Sequence, residues 1–206
     1  LAGKPSPTTA RHVLDDFDGR IEAVLDAGPT RIGVESTVLD VTVEPPQILR
    51  PGGTPYEALK RILGRVELHP VAVAEKDISV EKARSPGVKH KHYAPNAEVI
   101  VVEGEVSAII SKVRELIEFY THEGSVVGVL ATDETAGYYR SGVVKSLGSR
   151  SDLAVIAKNL FRLLREFDSE GVDVIIAEGV PLEGLGLAVM NRLRKASGYK
   201  IVKASG

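Results

Sequence analysis

Arg50 is followed directly by Pro51-Gly52-Gly53, so a guanidinium stands at a chain corner beside glycine N–H groups. Paired planar donors next to open backbone amides suit an anion, phosphate above all. An ordinary surface ion pair is the alternative. A second cluster, Lys89-His90-Lys91-His92-Tyr93, sets four cationic or titratable groups beside a phenol. That too suits phosphate contact, and a solvated charged link is its plain alternative. A third, Glu35-Ser36-Thr37, interrupts a β-branched stretch with adjacent polar groups. Any that face inward need partners, either backbone groups or a bound polar ligand.

The elements that must carry these residues divide into two styles. Residues 1–70 read as short strands and turns. Thr8 or Thr9 can cap a helix over 10–17 with Val13, Leu14 and Phe17 on one face. Short strands are expected over 23–25 and 33–41, and 47–50 is a strand running into the Arg50 corner. Thr54-Pro55-Tyr56-Glu57 reads as a capping box opening a helix that buries Ala58, Leu59, Ile62 and Leu63. So few elements bury only a modest core, and the segment reads as part of a domain whose remainder lies outside the sequence. Residues 71–96 form a connector whose Ser85–Pro95 stretch is bracketed by Pro86-Gly87 and Ala94-Pro95. From 97 to 206 the pattern becomes a clean alternation: strands over 98–102, 125–130, 143–147, 172–177 and 199–202, with helices over 106–120, 153–167 and 188–195. The expected class is α/β, ending in a doubly wound parallel sheet. Gly179, Gly184 and Gly186 lie between a strand and a helix, but the dinucleotide pattern is incomplete, and close packing of loop on helix is the better reading.

Composition limits the function. A net charge of −2 and a pI near 6.3 argue against a broadly nucleic-acid-coating surface while leaving room for a local basic patch. The absence of Cys removes thiol chemistry and Cys-ligated metals. With a single Met and few Asn or Gln, it also leans towards a heat-adapted source. No apolar run is long enough to span a bilayer, the first residues resemble no targeting peptide, and a cytoplasmic location is expected.

Four stretches then occur in an order that is similar to a known family: Lys4-Pro5-Ser6-Pro7-Thr8-Thr9, Gly33-Val34-Glu35-Ser36-Thr37-Val38, Leu49-Arg50-Pro51-Gly52, and Ser85-Pro86-Gly87 through His92-Tyr93-Ala94-Pro95. The chain resembles the long, two-domain form of threonylcarbamoyl-AMP synthase. Gly184-Leu185-Gly186 and Asn191-Arg192-Leu193 match its C-terminal domain. The resemblance implies the C-terminal portion of a YrdC-like α/β catalytic domain, a linker, and a Rossmann-like parallel-sheet domain. It implies joining of L-threonine, bicarbonate and ATP into threonylcarbamoyl-AMP with release of pyrophosphate, Mg²⁺ accompanying the triphosphate. The product would serve the machinery that modifies adenosine 37 of tRNA. Ser6 and Arg50 would contact ATP and Ser36 threonine. Ser85, Lys89, His92 and Tyr93 would belong to a lid over the cavity. The resemblance assigns no catalytic side chain and no metal ligand here, and no base accompanies Ser6 or Ser36 to make either a nucleophile. The family's basic nucleotide motif and its Ser-Ala-Asn motif would fall upstream of Leu1.

Two rival readings remain open from sequence. The C-terminal domain could be a nucleotide-binding accessory module using the Gly184–Gly186 turn, or the basic linker could bind tRNA directly, with the steep salt dependence this entails.

Overall fold

The structure, a computed structural model, describes residues 1–76 and 92–205. Two sheets result. The smaller has β1 (Val38–Asp40) antiparallel to β2 (Gln47–Arg50), and β2 parallel to β3 (Glu67–Leu68). The larger contains β4 (Glu98–Gly104), β5 (Val127–Ala131), β6 (Val143–Ser146), β7 (Val174–Glu178) and β8 (Ile201–Ala204), all parallel in the order β6-β5-β7-β4-β8.

Helix α3 (Val106–His122) covers one face of the large sheet. Its Ile109, Val113 and Ile117 pack on Ile100, Val102, Val129 and Ile176. Helices α4 (Leu153–Ser169) and α5 (Gly186–Ala196) cover the other, where Leu160, Phe161, Leu164, Ala188, Val189 and Leu193 meet Val99, Val101, Leu130 and Ile175. Alternate residues of the central strands thus feed two cores, and the doubly wound parallel sheet expected from the apolar periodicity is present.

The N-terminal segment lies on the α4/α5 face. Helix α1 (Ala10–Phe17) is capped as expected, Thr9 accepting from the His12 N–H. The residue it buries is Asp16 rather than Val13, Leu14 or Phe17, because Arg165 of α4 donates to Asp16 (2.7 Å) and to the Pro5 carbonyl (2.6 Å). Residues 23–25 form no strand; Leu25 is 99% exposed and has no sheet neighbour. The strand expected over 33–41 shrinks to Val38–Asp40. Gly33 runs so close to α4 that an added Cβ would lie 2.3 Å from the Ala157 carbonyl oxygen, a path no sheet partner shares.

Helix α2 (Tyr56–Leu63) starts where expected but without a capping box. Thr54 is held by Thr37 instead, through Thr37 Oγ1 to the Thr54 carbonyl (2.7 Å) and the Thr54 N–H back to Thr37 Oγ1 (3.1 Å). Its apolar side is uncovered, with Ile62 79% exposed. Among the described residues, no helix is long and apolar enough to cross a membrane.

Candidate functional site

Helix α5 is apolar on one side only, yet all eleven of its residues are buried. The sheet covers one side; the N-terminal segment and the connector cover the other. A polar flank buried in this way must find partners, and it finds most of them in the N-terminal segment and the connector. Asn191 Nδ2 donates to the Ala72 carbonyl (3.0 Å). Arg194 reaches Glu103 (2.8 and 2.9 Å), Glu75 (3.1 Å) and the Val73 carbonyl (3.2 Å). Arg192, 0% exposed, donates from Nε to Glu35 Oε2 (2.7 Å) and from Nη1 to the Pro51 carbonyl (2.7 Å).

Around Arg192 the residues singled out from sequence converge. Ser6 Oγ donates to Glu35 Oε1 at 2.5 Å, while Arg192 holds the other carboxylate oxygen. The next residue, Ser36, presents its carbonyl to Arg50, whose Nη2 and Nε approach at 3.0 and 3.3 Å; Arg50 Nη2 also lies 3.5 Å from Ser36 Oγ. The corner after Arg50 is tight. A Cβ on Gly52 would lie 2.3 Å from the Glu35 carbonyl oxygen, so this position has to be glycine for the two strand ends to touch.

Tyr93 closes the group. It stacks on Phe161 at 5.4 Å, the Arg192 guanidinium sits 5.4 Å from its ring centre, and the Arg50 charge acts on its phenol. Its φ of +66° is unusual for a bulky residue and is sustained by this packing. His92 lies beside it, the ring centres 5.8 Å apart. Ser85 and Lys89, with the basic run between them and His92, lie outside the described residues.

The electrostatics follow from burial beside like and unlike charges. Burial alone would raise the Glu35 pKa, but the Arg192 charge and the hydrogen bonds from Ser6 and Arg192 hold the carboxyl below its usual range. Burial pushes the Tyr93 phenol up. Burial, then Arg192 and Arg50, bring the Lys195 amine down to about 8, with Glu35 the opposing influence. Among the described residues, Arg192, Arg50 and Glu35 are the charged groups that act on Lys195.

Ser6, Ser36, Arg50 and Tyr93 were all visible in the sequence. Glu35 was visible only as one of three adjacent polar residues. Arg192 stands out in the sequence only within the Asn191-Arg192-Leu193 match to the C-terminal domain, and Lys195 only as the end of the last helix. The signal that could have found them is the run Asn191-Arg192-Leu193-Arg194-Lys195 in a helix that must lie against the sheet.

The fold and this seam define a two-part α/β protein in which a short, mixed N-terminal sheet and a parallel-sheet domain enclose a cationic cluster. The chain belongs to the threonylcarbamoyl-AMP synthase family. Residues 54–198 match the profile described as threonylcarbamoyl-AMP synthase, C-terminal domain. Residues 1–52 match the one described as telomere recombination, for Sua5, YciO and YrdC proteins. The chain is 52% identical over 203 residues to threonylcarbamoyl-AMP synthase of Pyrococcus abyssi, covering 98% of this chain and 57% of that protein. It is 45% identical to the Bacillus subtilis enzyme of the same name over 205 residues, covering 98% and 56%. The crystal structure of P. abyssi Sua5 complexed with L-threonine superposes with a TM-score of 0.90 at 51% identity, covering 99% of this chain and 57% of that one. A variant of P. abyssi Sua5 with a neighbouring His and Tyr both changed to Ala superposes with a TM-score of 0.89 at 50% identity, covering 98% and 56%. The chain thus spans little more than half the length of these relatives.

Proposed function

We propose that this chain is the C-terminal part of an L-threonylcarbamoyladenylate synthase, and that the seam described above is one wall of its substrate site. The carrying observation is the convergence of Ser6, Ser36, Arg50 and Tyr93 on a single ion pair, Glu35–Arg192, in a chain so similar to a protein solved with L-threonine. On this reading residues 1–70 complete a YrdC-like catalytic domain, 71–96 are linker and lid, and 97–206 are the Rossmann-like domain. L-threonine, bicarbonate and ATP are the substrates. The product passes to the machinery that modifies tRNA, in the cytoplasm.

The reaction is an adenylation. A carbamate oxygen of N-carboxythreonine forms a bond to the α-phosphorus of ATP, and the bond to the pyrophosphate oxygen breaks. The gain comes from alignment and from stabilising charge on the leaving phosphates. Arg50 supplies forked donors for phosphate oxygens. The Ser36 hydroxyl orients threonine. The Ser6 hydroxyl serves ATP, held in place by Glu35. Tyr93 and His92 shield a labile mixed anhydride from water as the closing part of the lid. His92-Tyr93 is the sole His-Tyr pair in the sequence, and it is such a pair that was altered in the P. abyssi variant. The seam does not suit Mg²⁺. Its side chains are mostly cationic, its carboxylate is already bound by Arg192 and Ser6, and no group of three His, Cys, Asp or Glu able to hold a metal occurs among the described residues. The ion belongs to the triphosphate and its waters.

The nucleotide-module rival is weakened by the turn it relies on. The Gly184 N–H donates to Glu57 (3.2 Å), and a Cβ on Gly186 would lie 1.9 Å from the Pro181 carbonyl oxygen, so these two glycines serve close packing of the loop.

The test uses the full-length protein with ATP, L-threonine and bicarbonate, and detects threonylcarbamoyl-AMP by mass. Product should require all three substrates, and Arg50→Ala should lower kcat/KM for ATP by about 100-fold, the scale for losing one charge-stabilising donor. No product, or full activity in Arg50→Ala, would reject the reading.

A further inference from the structure

Arg150, in the loop after β6, is well placed, yet its donors are unused. Its side chain is only 16% exposed, and Nη1 is sealed from solvent with no hydrogen-bond partner among the described residues. Glu178 Oε2 lies 3.8 Å from Nη1, beyond hydrogen-bond reach. The Glu178 carboxylate already accepts from Tyr139, Thr135 and Thr132. No described residue accepts from Arg150 Nε or Nη2 either. The other buried arginines differ: Arg165, Arg192 and Arg194 all bond carboxylates and carbonyls. What fixes Arg150 is its backbone, whose N–H lies 3.0 and 3.1 Å from the two Glu134 oxygens, and the Glu178 charge behind it. A guanidinium so withdrawn from water is expected to have an acceptor.

The side chain forms part of the wall of a cavity of about 460 Å³ at the C-terminal ends of β4 and β7. These strands are neighbours, but the chain leaving β4 turns to α3 on one face and the chain leaving β7 turns to α5 on the other. A fork of that kind is where open α/β sheets bind ligands. The rest of the wall is mixed. Glu103 is taken by Arg194 and Lys203. Glu105 is exposed and makes no capping bond to α3. Val106 and Leu182 are exposed apolar side chains at the cavity, and Met190 is bonded through its sulfur to the Val180 N–H (3.2 Å).

We propose that this cavity is a second ligand site, within the parallel-sheet domain, and that it takes an uncharged nucleoside. Arg150 donates to a ring nitrogen or carbonyl of the base. Glu105 accepts from the ribose hydroxyls. Val106, Pro181 and Leu182 cover the base. Charge argues against a phosphate, because Glu178 stands behind Arg150 and Glu105 is unpaired among the described residues. Size argues against a free amino acid, since the volume falls in the range of about 300–1,000 Å³ typical of pockets for larger small molecules. The Gly184–Gly186 turn takes no part, and the site does not rest on the synthase reading.

If Arg150 merely balances Glu178, its loss changes stability and no binding. The experiment is calorimetric titration and hydrogen–deuterium exchange of the full-length protein, as parent, Arg150→Met and Glu105→Gln, with adenosine, uridine, inorganic phosphate and L-threonine. A nucleoside should bind the parent and slow exchange over 103–106 and 179–182. Its affinity should fall about tenfold or more in Arg150→Met and severalfold in Glu105→Gln. Phosphate and L-threonine should leave those two loops unprotected. Nucleoside protection confined to 33–53, protection of the two loops by phosphate or L-threonine alone, or parent-like affinity in Arg150→Met would overturn the proposal. If Arg150→Met does not fold, the exposed Glu105→Gln decides, and unchanged affinity there overturns it. Synthase activity is read separately, so either reading can fail without the other.

Discussion

Replacing Lys195 with methionine should make the ligand-free protein more stable. Burial and two neighbouring guanidinia take the amine from an ordinary 10.5 to about 8. At roughly 1.4 kcal/mol per pKa unit, keeping it charged opposes folding by about 3 kcal/mol. The folded pKa lies below the unfolded one, so between pH 8 and 10.5 the unfolded chain holds more protons. The penalty is therefore complete below about pH 8 and fades as pH climbs towards 10.5. Methionine fills a similar volume without the charge. The expected result in urea unfolding of the full-length protein, followed by circular dichroism, is a gain of about 2–3 kcal/mol at pH 7 that shrinks to about 1 kcal/mol at pH 9.5. A variant less stable than the parent at pH 7, or a gain that does not change with pH, would show that the lysine charge is supported by the fold and would refute the reasoning.

Other substitutions report on the rest of the seam. Arg165→Met removes the guanidinium whose hydrogen bond, foremost, holds the Asp16 pKa down at about 2; with one partner of a buried pair gone, the cost is about 3 kcal/mol, and limited proteolysis should cut near α1. That contribution of Asp16 is present above its ordinary pKa of 3.8 and is lost as pH falls towards 2, so the difference between parent and variant should narrow in acid unfolding. Gly186→Ala places a methyl 1.9 Å from the Pro181 carbonyl oxygen and should lower stability by about 2 kcal/mol or more, read as a fall in Tm. Tyr93→Phe keeps the stack on Phe161 but gives up the phenol on which the Arg50 charge acts, so ATP affinity should weaken modestly, whereas Tyr93→Ala should lose adenylate formation as well.

The parallel-sheet domain was legible because its helices repeat apolar residues every three to four positions and its strands are β-branched runs. Periodicity of that kind survives any tertiary context. The N-terminal segment was harder to read because its local signals lost to longer-range contacts. Thr54 carries the residues of a capping box, yet Thr37 takes its backbone groups. Residues 33–37 are β-prone, yet Gly33 is pressed onto the α4 backbone and leaves the sheet. In the site, Arg50 and Ser36 could be recognised from their immediate neighbours. Arg192 could not, since its partner Glu35 lies 157 positions away and only the folded seam brings them to 2.7 Å.

The central claim is that substrates bind where the two halves meet. Hydrogen–deuterium exchange of the full-length protein, with and without ATP and L-threonine, addresses it directly. Protection should rise together over residues 33–53 and over α5, Gly186–Ala196. Protection confined to the N-terminal segment, with α5 exchanging as in the free protein, would contradict it.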